Sequence, residues 1–155
     1  MESVYIETSI PSYLTARLGR DLILVAHQEL TREWWETCGR FELFVSGIVL
    51  NEISLGAPEA AKHRTDAIAG IPLLELTEES REFAYRLVRL KLVLEKALAD
   101  ALHIAIAATA GMDYLLTWNC KHIANAVTRH EIENRCREMG LVPLIICTPE
   151  ELLEI

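Results

Sequence analysis

The sequence predicts an α/β protein whose mostly parallel sheet is covered by helices on both faces, in three layers. Three observations carry that prediction. Short apolar runs rich in β-branched and aromatic residues alternate with longer segments of helical periodicity. Five such runs are each followed by helix-length chain, and parallel strands need crossovers of that length. The 155 residues are 51% hydrophobic, enough to fill a single core, and no repeat, low-complexity tract or linker divides them. One domain over 1–155 is the expected organisation.

The first strand is expected at 4–7, where Val4, Tyr5 and Ile6 precede Glu7. Thr8, Ser9 and Pro11 then read as a turn. A helix follows over 21–38: Ile23, Ala26, Leu30 and Trp34 recur at helical spacing, and Gly39 suits the position just past its end. The second strand covers 42–46, and Ser46 is placed to cap a short helix carrying Leu50, Glu52 and Ile53. Pro58 starts another helix ending near Gly70. A third strand is expected at 72–76, after which Thr77 caps a helix through Phe83, Leu87, Leu90 and Leu94. The segment 97–110 is almost wholly apolar and reads as a buried helix stopped by Gly111. The fourth strand spans 114–118, a helix spans 129–139 and ends at Gly140, and the fifth strand spans 144–147. Thr148, Pro149, Glu150 and Glu151 form a capping-box pattern.

Composition narrows the function. The most apolar segment contains Asp100 and His103, so it reads as a core helix rather than a membrane span. The N-terminus lacks the basic region and long apolar stretch of a signal peptide. Cys38, Cys120, Cys136 and Cys147 are scattered without a C-x-x-C pair, the usage of reduced thiols in a cytoplasmic protein. A formal charge of −8 argues against holding nucleic acid through a broad basic surface. It leaves open a nucleic-acid substrate whose phosphates are met by bound metal ions. Phosphate-loop, dinucleotide-binding and serine-hydrolase signatures do not occur.

The chemistry-bearing candidates are Glu7, Glu52, Asp100 and Asn119: Glu7, Asp100 and Asn119 each lie where a buried element starts or stops, and Glu52 sits on a short helix. In parallel α/β folds, ligands gather beyond the carboxyl ends of strands where strand order reverses. Glu7 and Asn119 converge there if the strands they end are neighbours. Several carboxylates in one cleft repel one another unless a divalent cation or a raised pKa relieves them. Oxygen-only donors suit Mg²⁺ or Mn²⁺. Each residue also has a plainer reading. Glu7 can be a solvated strand end or a cap for the following turn, Glu52 a surface charge, Asp100 an N-cap and Asn119 a cap for the segment after it.

Their order and spacing also carry a resemblance. The stretches Val4-Tyr5-Ile6-Glu7-Thr8-Ser9, Val49-Leu50-Asn51-Glu52-Ile53, Ala99-Asp100-Ala101-Leu102-His103-Ile104-Ala105 and Leu115-Leu116-Thr117-Trp118-Asn119 are similar to those of PIN-domain proteins, and within them to the toxin components of VapBC-type toxin–antitoxin pairs. The resemblance implies a five-stranded parallel α/β/α fold and a metal-dependent nuclease, usually acting on RNA. It implies a metal site at Glu7, Asp100 and Asn119, with Glu52 holding the ion or ordering water. Thr8 or Ser9, and Thr117, are implied as hydroxyls that orient the carboxylates. It further implies a small antitoxin partner and a homodimer. Glu7 stands where the family usually has aspartate, and Asn119 where many members have another. Those two departures support one Mg²⁺ or Mn²⁺ ion better than two.

Other residues have less to say. His103 shares a helix face with Asp100, and a hydrogen-bonded core histidine is its expected role. Lys121 and His122 follow Asn119 at the rim, where they can meet phosphate, and no second Cys/His pair makes a zinc site with Cys120. Of Trp34 and Trp35, one is expected in the core rather than stacked on a base. Arg86, Arg89, Lys91 and Lys96 read as a solvated helix face. A non-catalytic PIN-like module binding RNA or a protein is the competing function. A phosphoaspartate receiver is disfavoured, because Thr8-Ser9-Ile10 follow Glu7 where paired acids would be needed.

Overall fold

The computed structural model describes residues 1–90 and 97–154. Five parallel strands form one sheet in the order β3-β2-β1-β4-β5: β1 Ser3–Ile6, β2 Glu42–Ser46, β3 Leu73–Leu74, β4 Tyr114–Leu116 and β5 Ile145–Cys147. Helices on both faces complete an α/β/α sandwich, as the alternation predicts. They are α1 Ser9–Thr15, α2 Leu22–Thr37, α3 Gly47–Ile53, α4 Pro58–Ala67, α5 Glu78–Arg89, α6 Leu98–Thr109 and α7 Ala126–Glu138.

The core follows from the apolar runs. Val4, Tyr5 and Ile6 are fully buried between β2 and β4, as a central parallel strand requires. α6 supplies Ala101, Ile104, Ala105, Ile106, Ala107 and Ala108 to the same core. Its small side chains fit a helix enclosed by the fold. Gly111, with φ 74°, ends α6 in the left-handed conformation that glycine adopts without penalty. Trp34 is fully buried, the expected core member of its pair, while Trp35 packs partly against the core.

Several boundaries differ from expectation for local reasons. α1 occupies the segment read as a turn. Pro11 is tolerated because it is the third helical residue, where a missing N–H breaks no intrahelical bond. α7 starts at Ala126 rather than 129, because the Asn125 side chain caps the Val127 amide at 2.9 Å. Thr77 does cap α5, in a reciprocal box with Ser80. Ser46 does not cap α3 through its side chain; that hydroxyl is used elsewhere. Thr148 to Glu151 leads into a 3-10 turn at Glu150–Leu152, with Glu151 Oε1 accepting the Thr148 amide at 3.1 Å. β3 and β4 are shorter than expected, since chain register holds only two and three residues of them on their neighbours. Leu94, Lys91 and Lys96 lie outside the described residues.

The order 3-2-1-4-5 reverses between β1 and β4, which are hydrogen-bonded neighbours with Ile6 opposite Leu116. The residues just past these strands, Glu7 and Thr117, therefore leave the sheet side by side. The Glu7 amide still donates to Leu116 O at 3.1 Å.

Candidate active site

At that switch point lies an open cleft of about 600 Å³. Glu7, Glu52, Asp100 and Asn119, distant in sequence, all line it, together with Thr8, Ser9, Ser12, Tyr13, Trp118, Cys120 and Lys121. β1 delivers Glu7, α3 carries Glu52, the first turn of α6 carries Asp100, and the loop after β4 carries Asn119. Asp100 is not the N-cap of its helix, which is Ala97.

Glu7 is almost completely buried and is held through one oxygen. Its Oε2 accepts from the Ser9 amide at 2.9 Å, Ser9 Oγ at 2.5 Å and Thr117 Oγ1 at 2.8 Å. No described residue donates to Oε1. The carboxylate thus satisfies an open amide at the start of α1 while keeping one oxygen for the cleft.

Glu52 is held in the same one-sided way. Its Oε1 accepts from Thr8 Oγ1 at 2.8 Å and from His103 Nε2 at 2.5 Å. Because a carboxylate only accepts, Nε2 carries the proton. On the far side of the fully buried His103 ring, Nδ1 lies 2.7 Å from Tyr5 OH, which lies 2.7 Å from Ser46 Oγ. A hydrogen-bonded chain therefore runs Ser46–Tyr5–His103–Glu52–Thr8. Burial, the largest influence on the Tyr5 phenol, raises its pKa and keeps its proton on. Burial alone would also raise the Glu52 carboxyl. The His103 hydrogen bond, the His103 charge and the Thr8 hydroxyl outweigh it and hold the group below the usual range.

Asp100 contrasts with both. No described residue donates a hydrogen bond to its carboxylate. Burial first, then the negative charge of Glu7, push its carboxyl above the usual range, against smaller opposing effects of His103 and His122. Asn119 has its Oδ1 engaged: it accepts the His122 amide at 3.0 Å and shapes the turn after β4. Lys121 is exposed beside it and is the cleft's one cation among the described residues.

Sequence reasoning anticipated a hydrogen-bonded core His103 but not its route to Glu52. Tyr5 and Ser46 were missed as partners. The available signal was a phenol in the middle of a fully buried strand, which demands a hydrogen-bond partner. Arg86 is ion-paired with Glu138 at 3.3 Å and Arg89 is exposed, away from the cleft.

The PIN-domain family model matches residues 4–126, well over half of the chain and the span holding all four cleft residues. This chain belongs to the PIN-domain family. Such domains are generally nucleases, usually metal-dependent. A comparison with curated proteins finds no significant match.

The cleft of this PIN domain can be tested for its fit to a divalent cation. Among the described residues, no three His, Cys, Asp or Glu side chains come close enough to form a ready-made cage. The donor chemistry nevertheless suits a hard cation. Glu7 and Glu52 each present an oxygen that no described residue engages, beside an Asp100 whose negative charge lacks a hydrogen-bonding partner among them. Mg²⁺ is commonly held by one or two carboxylates, with waters and substrate phosphate filling the remaining positions. The residues fit an ion bound in that manner. Among the described residues, no helix is long and apolar enough to cross a membrane.

Proposed function

We propose that this protein is a Mg²⁺- or Mn²⁺-dependent endoribonuclease, the toxin of a VapC-type toxin–antitoxin pair, acting in the cytoplasm as one unit over 1–155. The observation that supports it best is the gathering of Glu7, Glu52 and Asp100 in one cleft at the β1/β4 switch point. Their negative charge is poorly balanced without a cation, and the charge of Glu7 adds to burial, the larger cause, in raising the carboxyl of Asp100.

Glu7, Asp100 and Asn119 are the side chains proposed to hold the ion. A divalent cation bound there supplies positive charge to the scissile phosphodiester and lowers the pKa of a bound water. Glu52, fixed by His103 and Thr8, orients the attacking water through its other oxygen. Lys121 meets a neighbouring phosphate. In-line attack then leaves a 3′-hydroxyl and a 5′-phosphate. The partners proposed with this role are a small antitoxin protein and a second copy of the chain.

One feature favours the alternative of a non-catalytic PIN-like module that binds RNA or a protein. Asn119 brings no charge, and its Oδ1 is occupied by the His122 amide. Single-stranded and hairpin RNAs incubated with the protein and Mn²⁺, with and without EDTA, separate the two. Cleavage to 5′-phosphate ends that disappears with EDTA and in Asp100→Asn is expected. Cleavage surviving both treatments would end the nuclease proposal. Thermal stabilisation by Mn²⁺ with no cleavage of any RNA would favour the binding module. Co-expression with the product of an adjacent short reading frame, read as relief of toxicity and a stable complex, tests the antitoxin. Light scattering tests the dimer.

A further inference from the structure

The cleft that holds the acids also has aromatic side chains in its lining. Trp118 follows β4 and is fixed on several sides. Its Nε1 donates to Thr31 Oγ1 at 2.7 Å, its amide donates to Ser9 Oγ at 2.8 Å, and its ring lies on that of His27 with centroids 4.0 Å apart and planes 11° apart. Tyr13, from α1, continues the same orientation. Its ring is 15° from the Trp118 plane and 19° from that of His27, at centroid distances of 6.3 and 6.4 Å. His27 and Thr31 sit one turn apart on α2, so α2 backs the whole arrangement.

Trp118 is 7% exposed, whereas Tyr13 is only partly buried, and both line the cleft. Tyr13 is therefore the ring offered to a ligand, and it lies nearly parallel to the two rings beside it. The cleft thus combines carboxylates suited to a cation-bridged phosphate with a flat aromatic surface a few residues away. A ligand matching both needs an anionic group and a planar π-face in one molecule, which is the chemistry of a nucleotide.

We propose that Tyr13 is a base-stacking platform, on which a nucleobase of a single-stranded RNA lies while its phosphate occupies the acidic end of the cleft. The assignment rests on the reading that RNA is the substrate. Stacking on one ring accepts every base, because each has a π-face. The platform fixes the strand's position without selecting sequence.

The test compares wild-type protein, Tyr13→Phe and Tyr13→Leu. The ligands are a short single-stranded RNA and the same RNA with one abasic position moved along it, in Mn²⁺, with affinity read by fluorescence anisotropy. Tyr13→Phe is expected to bind as wild type. Tyr13→Leu keeps an apolar side chain against α2 and is expected to lose about 5- to 150-fold in affinity, the range of one base–aromatic stack. One abasic position should cost wild type a similar factor and cost Tyr13→Leu nothing further. A 2-aminopurine at that position should be quenched by wild type and Tyr13→Phe only. Melting temperatures of the variants show that each is folded. Equal RNA affinity in Tyr13→Leu and wild type, or an abasic penalty unchanged by the substitution, overturns the platform even if RNA is cleaved. RNA binding with the expected coupling but without cleavage leaves the platform standing and overturns the nuclease instead. No RNA binding by wild type overturns both.

Discussion

Glu52 and Asp100 line the same cleft and are held in opposite ways. Glu52 is gripped through Oε1 by His103 and Thr8, and its carboxyl is held low. Asp100 has no donor among the described residues, sits closer to the influence of Glu7, and its carboxyl is held high. The fold has therefore stabilised one carboxylate in advance and left the other destabilised. A carboxylate lacking any partner gains most from a cation. On the proposed function, that difference suits Glu52 to positioning and Asp100 to cation capture, with Glu7 offering the ion its second oxygen.

The largest expected effect breaks the comparison at Asp100. Asp100→Asn should lower RNA cleavage by about 10²–10³-fold, the scale for removing one electrostatic element of an active site. Its stability should move the other way. A carboxyl raised in the folded state contributes stability that is complete below its unfolded value of about 3.9 and lost as pH rises through the folded value. At pH 7 the ionised Asp100 thus opposes folding, and Asp100→Asn should melt higher than wild type. The gain should vanish below about pH 3.9. Mn²⁺ should raise the wild-type melting temperature and leave that of Asp100→Asn nearly unchanged. Glu52→Gln should show the opposite sign. A carboxyl lowered in the folded state contributes stability above its unfolded value of about 4.3, and loses it as pH falls through the lower folded value. Scanning calorimetry from pH 3 to 8 on both variants checks the pair, and two effects of the same sign would remove the distinction.

The next effect sharpens the comparison from the side of Glu52. His103→Asn places its amide near the Nδ1 position, where it can keep Tyr5 but not reach Glu52. His103→Gln places its amide near the Nε2 position and can keep Glu52. Cleavage should fall about 10–100-fold in His103→Asn, as for lost partners that orient a site's ligands, and clearly less in His103→Gln. Both should lose stability, by about 1–3 kcal/mol, because each gives up one of the two hydrogen bonds made by the fully buried His103 ring. Steady-state kinetics that rank the two variants equally would reduce the chain from Ser46 to Glu52 to a packing feature.

How much of this was legible beforehand divides along the same line. The alternation of apolar runs with helical segments was sufficient for the sheet and its helices, since burial periodicity is a property of consecutive residues. Glu7, Asp100 and Asn119 were legible because each punctuates a buried element at a strand end or helix start, whereas Glu52, in the last turn of α3, was legible only in company with them. What the sequence hid was the competition for hydroxyls. Ser46 stands where a helix cap belongs, and Thr8 is the N-cap residue of α1, yet neither side chain caps its helix. Ser46 bonds Tyr5 and Thr8 bonds Glu52, partners 41 and 44 residues away. Local spacing scores the cap; only the folded register shows that a more distant acceptor wins. Asn119 shows the reverse case, because its Oδ1 does serve the local turn. α1 was hidden by Pro11, whose usual meaning as a breaker fails in a helix's first turn.

The smallest effect isolates the second donor to Glu52. Thr8→Val keeps the shape of the side chain and removes the hydroxyl. No helix cap is lost with it, because Thr8 Oγ1 donates to Glu52 rather than accepting from the α1 amides, and the first of those amides is already taken by Glu7. Thr8 is only partly buried, so water can replace the lost donor, a substitution closed to the fully enclosed His103. The cost should stay near that of one ordinary hydrogen bond, about 0.5–1.5 kcal/mol, which corresponds to roughly 2- to 13-fold in kcat/KM. Thr8→Val combined with His103→Asn should then lose more than either alone, since Oε1 would keep no fixed donor. A Thr8→Val loss as large as that of His103→Asn would mean that Glu52 is oriented from the solvent side, and that the buried half of the chain contributes only to folding.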